Sequence, residues 1–227
     1  MRNNRFIISL GGSTIVPDEI DTKFLKEFKN LIEGEVKKGK KFLLITGGGR
    51  TARRYIEAAK RLGDLDPEDL DWLGIHSTRL NGHLLRTIFR KKAHQRILTN
   101  ASEPEIWKEP ILIGAGGQPG HSTDYQAVMF AKKYGANVIL NLSNVDYVYD
   151  KNPKTHKDAK PFKDISWKEF RKLVGGKWDP GINAPFDPVA SEIAEKHKYT
   201  VIVMSGRSMA NLKNFLSGKP FKGTVIH

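Results

Sequence analysis

The sequence predicts an α/β fold, a three-layer αβα sandwich around a largely parallel central sheet, and three observations carry that prediction. Apolar runs of strand length alternate with longer segments whose apolar residues recur at helical spacing. Three of those runs end in glycine-rich loops, as strands do in open α/β sheets that bind a ligand at their carboxyl edge. At 227 residues the chain is long enough for one substantial core, so a single domain over 1–227 is expected.

Arg5 to Leu10 (RFIISL) reads as the first strand and runs into Gly11, Gly12 and Ser13. Asp21 is placed as an N-cap, because Phe24, Leu25, Phe28, Leu31 and Ile32 follow on one helical face. The second strand, Phe42 to Thr46, ends in Gly47, Gly48 and Gly49 before a helix over Arg50 to Leu62. A long helical pattern then starts after Pro67 and runs through Asp71, Trp72, Ile75, Leu80, Leu84, Leu85 and Ile88; Gly74 or Gly82 marks close packing or a bend. Pro110 to Gly114 is the third buried strand, and it feeds the stretch GGQPGHSTD, Gly116 to Asp124.

Ala127, Val128, Phe130 and Ala131 form the next helix, and Asn137 to Leu142 the fourth strand. After NVDYVYDKNP come an amphipathic segment at Trp167 to Val174 and a glycine-rich loop at Gly175 to Gly181. Pro188 to His197, Thr200 to Met204, Met209 to Leu216 and Gly223 to Ile226 close the chain as helix, strand, helix, strand.

Composition narrows the function classes. With no cysteine there is no disulfide and no thiolate metal site, and no apolar run approaches the roughly 18 residues of a membrane span, so a soluble, cytoplasmic protein is expected. The net charge of +13 invites a nucleic-acid partner, but Lys37 to Lys41 and Arg90 to Arg96 sit where helices end and cations complement the dipole. Neither cluster is interleaved with aromatics. Solvated faces that attract small polyanions fit better, and no nucleic-acid or membrane partner is expected.

The chemistry lies in the loops. In GGQPGHSTD, Gly116, Gly117 and Gly120 let the backbone approach a ligand, while Ser122 and Thr123 place hydroxyls where a helix begins; the stretch reads as an anion cradle. No loop ends in Gly-Lys-Ser/Thr, no dinucleotide fingerprint or protein-kinase signature fits, and no serine occupies a nucleophile elbow. Phosphoryl transfer by backbone donors, a few cations and carboxylates matches what remains.

Gly11 to Ser13, GGGRTARRYIEAA from Gly47, DWLGIHSTRLNG from Asp71, GGQPGHSTD from Gly116, NVDYVYDKNP from Asn144 and FDPVASEIA from Phe186 occur in the order and spacing of one family. The chain resembles the amino-acid-kinase superfamily, and within it the archaeal-type branch of the uridylate (UMP) kinases. That resemblance implies phosphorylation of UMP to UDP by ATP, with Mg²⁺ carried on the ATP and no dedicated metal site, in pyrimidine nucleotide synthesis and as a homohexamer. It also implies that residues up to about 135 mainly build the acceptor site and those from about 136 mainly the ATP site.

Carried over by position, Ser9, Leu10, Gly11, Gly12 and Ser13 match the loop at the ATP phosphates. Gly48 matches the UMP side, whereas Gly49 and Arg53 match positions at the ATP phosphates or the transferring group. Asp71 matches the carboxylate on the UMP ribose. Gly117, Gln118, Pro119, Gly120, His121, Ser122 and Thr123 match the segment around the UMP phosphate and base. Ser143, Tyr149 and Asn152 match the adenine and ribose pocket. Asp187 matches an aspartate that orders cationic groups around the transferred phosphoryl, which with Arg53 makes the catalytic pair.

Each of these residues also has a plainer role available: a surface ion pair for Arg53, a helix-start carboxylate for Asp71, a cap before Pro188 for Asp187. The chain departs from the wider superfamily at Ser9, where many members have lysine, and at Tyr147 and Asn152, where Gly and Asp are usual. Arg53 is the first candidate for the compensating cation and Lys177 the second. Two other functions stay open: another small-molecule kinase acting on a carboxylate or isoprenoid phosphate, and a non-catalytic nucleotide or oxyanion binder on the same fold.

Overall fold

The computed structural model describes residues 4–153, 155–175 and 185–227. The chain begins with β1 (Arg5–Leu10), a short helix α1 (Gly12–Ile15), α2 (Thr22–Lys37), β2 (Lys41–Thr46), α3 (Gly49–Lys60) and α4 (Pro67–Phe89). There follow β3 (Ala93–Leu98), β4 (Ile111–Gly114), α5 (Thr123–Tyr134) and β5 (Val138–Ser143). A small antiparallel pair, β6 (Val148–Tyr149) and β7 (Pro161–Phe162), precedes β8 (Asp164–Ile165) and α6 (Trp167–Val174). The last elements are α7 (Pro188–Lys196), β9 (Thr200–Ser205), α8 (Met209–Leu216) and β10 (Thr224–Ile226).

Eight strands form one sheet in the order β3-β4-β2-β1-β5-β9-β10-β8, parallel except where β10 runs against β9. Neighbouring residues along a strand serve opposite faces. Ile7, Leu43, Ile45, Leu112, Ile139, Val201 and Val203 pack with the apolar sides of α5, α6 and α7. Ile8, Phe42, Leu44, Ile111, Ile113, Leu140 and Ile202 pack with those of α2, α4 and α8. Both faces are covered, which is why the strands read as unbroken apolar runs rather than alternating ones.

Local signals place the helix starts. The Asp21 carboxylate accepts from the Phe24 amide at 2.9 Å, Ser122 caps α5, and Ser166 with Glu169 forms a reciprocal capping box at α6. The pattern after Pro67 is one 23-residue helix without interruption. Gly82 in it marks close packing: a Cβ there would meet Thr46 Oγ1 at 3.3 Å and Ile97 Cγ2 at 3.4 Å. One strand goes beyond the sequence expectation. The basic run at Arg90 continues as a 3₁₀ turn and then as β3, an edge strand that among the described residues pairs only with β4 and whose centre, Gln95 and Arg96, is exposed. Lys177 and most of the loop expected from Gly175 lie outside the described residues.

Candidate functional site

The three glycine loops follow β1, β2 and β4, which are neighbours in the sheet and run the same way, so all three emerge at one rim. The first two interlock. A Cβ on Gly12 would lie 2.0 Å from Gly49 N and 2.6 Å from Gly47 C, and one on Gly47 would lie 2.5 Å from Gly12 N. Main chain touches main chain there, and no side chain fits between. Gly49, at φ +65, opens α3 behind Gly48, whose missing side chain leaves the first amides of that helix without a side-chain cap. Apart from Arg50 N, which donates to Val16 O at 2.9 Å, amides at the positive end of a 12-residue helix suit a phosphate oxygen.

Helix α4 binds the loops together. Asn81 Nδ2 donates to the Gly47 and Gly48 carbonyls at 2.8 and 3.2 Å, and Thr46 Oγ1 donates to Thr78 O at 2.9 Å. One turn away, Thr78 Oγ1 accepts from Gly116 N at 2.8 Å, and Arg79 donates to Gly116 O and Gly117 O at 3.1 and 2.7 Å. Asp71 Oδ2 accepts from Gly120 N at 2.8 Å. Asp66 is the cap of this helix, so Asp71 is free of that duty and tethers the strap formed by residues 116–122 instead. Thr78, Arg79 and Asn81 were not singled out from sequence. Their signal was their place in STRLNG, polar side chains on a helix otherwise bound for the core.

A second cluster surrounds Ser9, which is 3% exposed at the end of β1. Its hydroxyl donates to Asp124 Oδ1 at 2.8 Å, and Asp124 Oδ2 accepts from the Asp187 amide at 3.3 Å. Loss of solvation pushes the Asp124 carboxyl up to about 6, and the charge of Asp187 adds to the effect while the Ser9 hydroxyl opposes it. Asp187 caps α7 through Oδ1, which accepts from Ala190 N at 2.6 Å, and burial raises its pKa as well. Its Oδ2 is buried with no hydrogen-bond partner among the described residues. So the capping role and a second, unsatisfied oxygen coexist in one side chain. Asp124 is the residue sequence reasoning passed over at the end of GGQPGHSTD.

Two cavities of about 390 Å³ flank this rim. One is lined by Ser143, Tyr149 and Asn152 together with Tyr147, Val174 and Pro185, so the three residues expected at an adenine and ribose pocket share one hollow. The other lies beneath the strap, between Gly117, Gln118 and His121 and the segment after β3. Arg53 stands exposed on α3, with no ion pair or hydrogen bond among the described residues, unlike Arg50 and Arg54 beside it, which pair with Asp18. Leu10 is core, but its carbonyl accepts from Gly47 N at 3.0 Å and so joins the first two loops. Ser13 lies within α1, Thr123 opens α5, and Pro119 lies on the strap. Among the described residues no helix is long and apolar enough to cross a membrane, and no group of three or more His, Cys, Asp or Glu side chains could hold a metal ion.

Residues 4–205 match the model of the amino acid kinase family. The chain is 37% identical over 227 residues to the uridylate kinase of Thermoplasma volcanium, spanning 99% of this chain and 98% of that protein. Among solved structures it is similar to the uridylate kinase of Archaeoglobus fulgidus, with a TM-score of 0.83, 31% identity and coverage of 98% and 99% of the two chains. It is also similar to the UMP kinase of Bacillus anthracis, at a TM-score of 0.81 and 25% identity over 99% and 96% of the two chains.

Proposed function

The chain belongs to the amino acid kinase family, and from that premise we propose that it transfers the γ-phosphoryl group of ATP to UMP, giving UDP and ADP. An oxygen of the UMP phosphate attacks Pγ, the bond from Pγ to the β,γ-bridging oxygen breaks, and ADP leaves with that electron pair. The observation that carries the reading is the main-chain interlock of Gly12 with Gly47 and Gly49, flanked by one cavity under the acceptor strap and another at Ser143 to Asn152. It fixes two glycine loops side by side at one rim, which supports a reading in which they position donor and acceptor phosphates for in-line transfer.

In this reading Ser9 to Ser13, Gly49 and Arg53 serve the donor phosphates, with Ser143, Tyr149 and Asn152 around the nucleoside of ATP. Gly48, Asp71 and the strap from Gly117 to Thr123 serve UMP. Arg53, exposed on α3 and without a partner among the described residues, supplies a planar cation for the transferring group. The Asp187 Oδ2, without a hydrogen bond among the described residues and beside a carboxyl that burial and the Asp187 charge raise, fits a cation: Asp187 with Asp124 would face the Mg²⁺ that accompanies ATP. When bound, that ion neutralises donor charge. The acceptor machinery thus falls mainly within residues 1–135 and the ATP pocket mainly beyond, with the β1 loop crossing over to the donor.

We place the enzyme in the cytoplasm, in pyrimidine nucleotide synthesis, as a homo-oligomer, a hexamer by family likeness. Tyr55, Leu62 and Leu65, exposed on α3 and the turn after it, are candidates for an apolar contact. A coupled ADP-release assay over UMP, CMP, acetylglutamate and isopentenyl phosphate tests the function: turnover of UMP above the others is expected. Preference for another acceptor, or nucleotide binding without turnover, would replace this reading with one of the two alternatives.

A further inference from the structure

Beneath the strap lies a cavity of about 390 Å³ whose composition differs from that of a phosphate site. No Lys or Arg lines it, and its one carboxylate, Glu103, is engaged by Arg96 at 2.9 Å. One wall is aromatic, with the His121 and Tyr125 rings 4.1 Å apart between centroids. At its back is the Gln126 side chain, 5% exposed and without a hydrogen-bond partner among the described residues.

That amide lines the cavity, and none of its polar atoms is both sealed from solvent and unpartnered. It therefore offers two donors and an acceptor to whatever enters. On an amphipathic helix such as α5 an apolar residue would serve the core better at this position, where Ala127, Val128 and Phe130 already pack. The strap also runs unusually close to it: a Cβ on Gly117 would meet Gln126 Nε2 at 2.4 Å and Thr99 O at 2.3 Å. The bare main chain at Gly117 is what leaves room for the amide under the strap.

Building on the acceptor reading above, we infer that Gln126 is a specificity-determining residue whose side-chain amide hydrogen-bonds the pyrimidine base of the acceptor nucleotide. An amide offers a donor and an acceptor side by side, which matches the ring-nitrogen and carbonyl edge of a pyrimidine; the His121 and Tyr125 wall gives the ring a face to stack on. A lining with no Lys or Arg takes the base and leaves the phosphate to the Gly47 to Gly49 loop and the start of α5. Asp71 and Arg79 hold the strap from its other side, so the same segment of chain closes over the base and fixes the sugar-phosphate.

The test is Gln126→Leu, which keeps the size of the side chain and removes its polarity. KM for UMP is expected to rise about 5- to 30-fold, the loss of one or two hydrogen bonds to a desolvated partner, while KM for ATP stays unchanged. The melting temperature should hold or rise, because no native hydrogen bond is lost. A structural role would instead lower the melting temperature and disturb both substrates. Ribose 5-phosphate, which lacks the base, should inhibit wild type and variant equally. Wild-type turnover of UMP with an unchanged UMP KM in the variant overturns the inference and leaves the proposed function standing. A wild type silent on UMP overturns the proposed function and this inference with it.

Discussion

Replacing Gly12 with alanine puts the loop interlock to its most direct test. The new Cβ would stand 2.0 Å from Gly49 N, 2.6 Å from Gly47 C and 2.7 Å from Gly48 N, and every one of those atoms is backbone. No rotamer change relieves the clash, so restoring an ordinary contact near 3.4 Å requires the two loops to part by about 1.4 Å. Overpacking of this kind costs about 1–3 kcal/mol, which for a domain of this size lowers the melting temperature by about 2–12 °C. The effect on chemistry is larger, because a shift of about 1 Å between reacting groups costs about a hundredfold in rate.

Scanning fluorimetry and the coupled assay, run on the same preparation, separate the two effects. Gly34→Ala is the control: Gly34 sits inside α2 with nothing within 4 Å of its would-be Cβ, so alanine there should stabilise by about 0.5–1 kcal/mol and leave turnover alone. If Gly12→Ala melts within about 1 °C of wild type and keeps kcat/KM within about threefold, the loops do not hold the substrates in the manner argued.

Arg53→Ala should lower kcat by about 10²- to 10³-fold with no change in melting temperature, since the side chain is exposed and unpaired among the described residues; an unaltered kcat would remove it from the transferring group. Asp71→Asn keeps an oxygen for the Gly120 amide but loses the charge, so KM for UMP should rise about tenfold while kcat holds, as read from initial rates. Arg79→Ala frees two strap carbonyls and should raise KM for UMP, with KM for ATP unmoved; an equal rise in both would mean general damage. For Asp124 the folded pKa of about 6 lies above its unfolded value, so ionisation opposes folding. Its penalty is absent below about pH 4, grows between about pH 4 and 6, and reaches at most about 3 kcal/mol above that. Asp124→Asn should therefore raise the melting temperature at pH 8 relative to pH 4, measured in EDTA without nucleotide; an unchanged pH profile counts against the raised carboxyl.

The parts of this molecule legible in its sequence are those whose physical cause is local. A glycine between an apolar run and a helix states its requirement within three residues, and Gly47 to Gly49 meets it; Ser122 and Asp187 before helices are caps for the same reason. What escaped depends on distant partners. The centre of β3 reads as polar surface because among the described residues only β4 pairs with it, so its strand character exists only once the sheet is formed. Asp124 looks like one more acidic residue in a helix's first turn until Ser9, 115 positions away, and Asp187, 63 away, are brought beside it.

The same distinction applies to position 9, where many superfamily members have lysine. With serine at position 9, the space holds two carboxyls whose pKa burial raises, and Asp187 keeps one oxygen without a regular hydrogen bond among the described residues, though the Ser122 hydroxyl is near enough to oppose the rise. Serine supplies one donor, enough for a single oxygen of Asp124, whereas an ammonium would have served both acids at once. On the proposed reading, the pair would gain a counter-charge when the cation carried by ATP binds. Binding of Mg²⁺-ATP should then lower the Asp124 pKa and release protons in proportion, a quantity that calorimetry in buffers of different ionisation enthalpy measures near pH 6. Binding without proton release at that pH would show that the two acids are neutralised by a group of the protein itself.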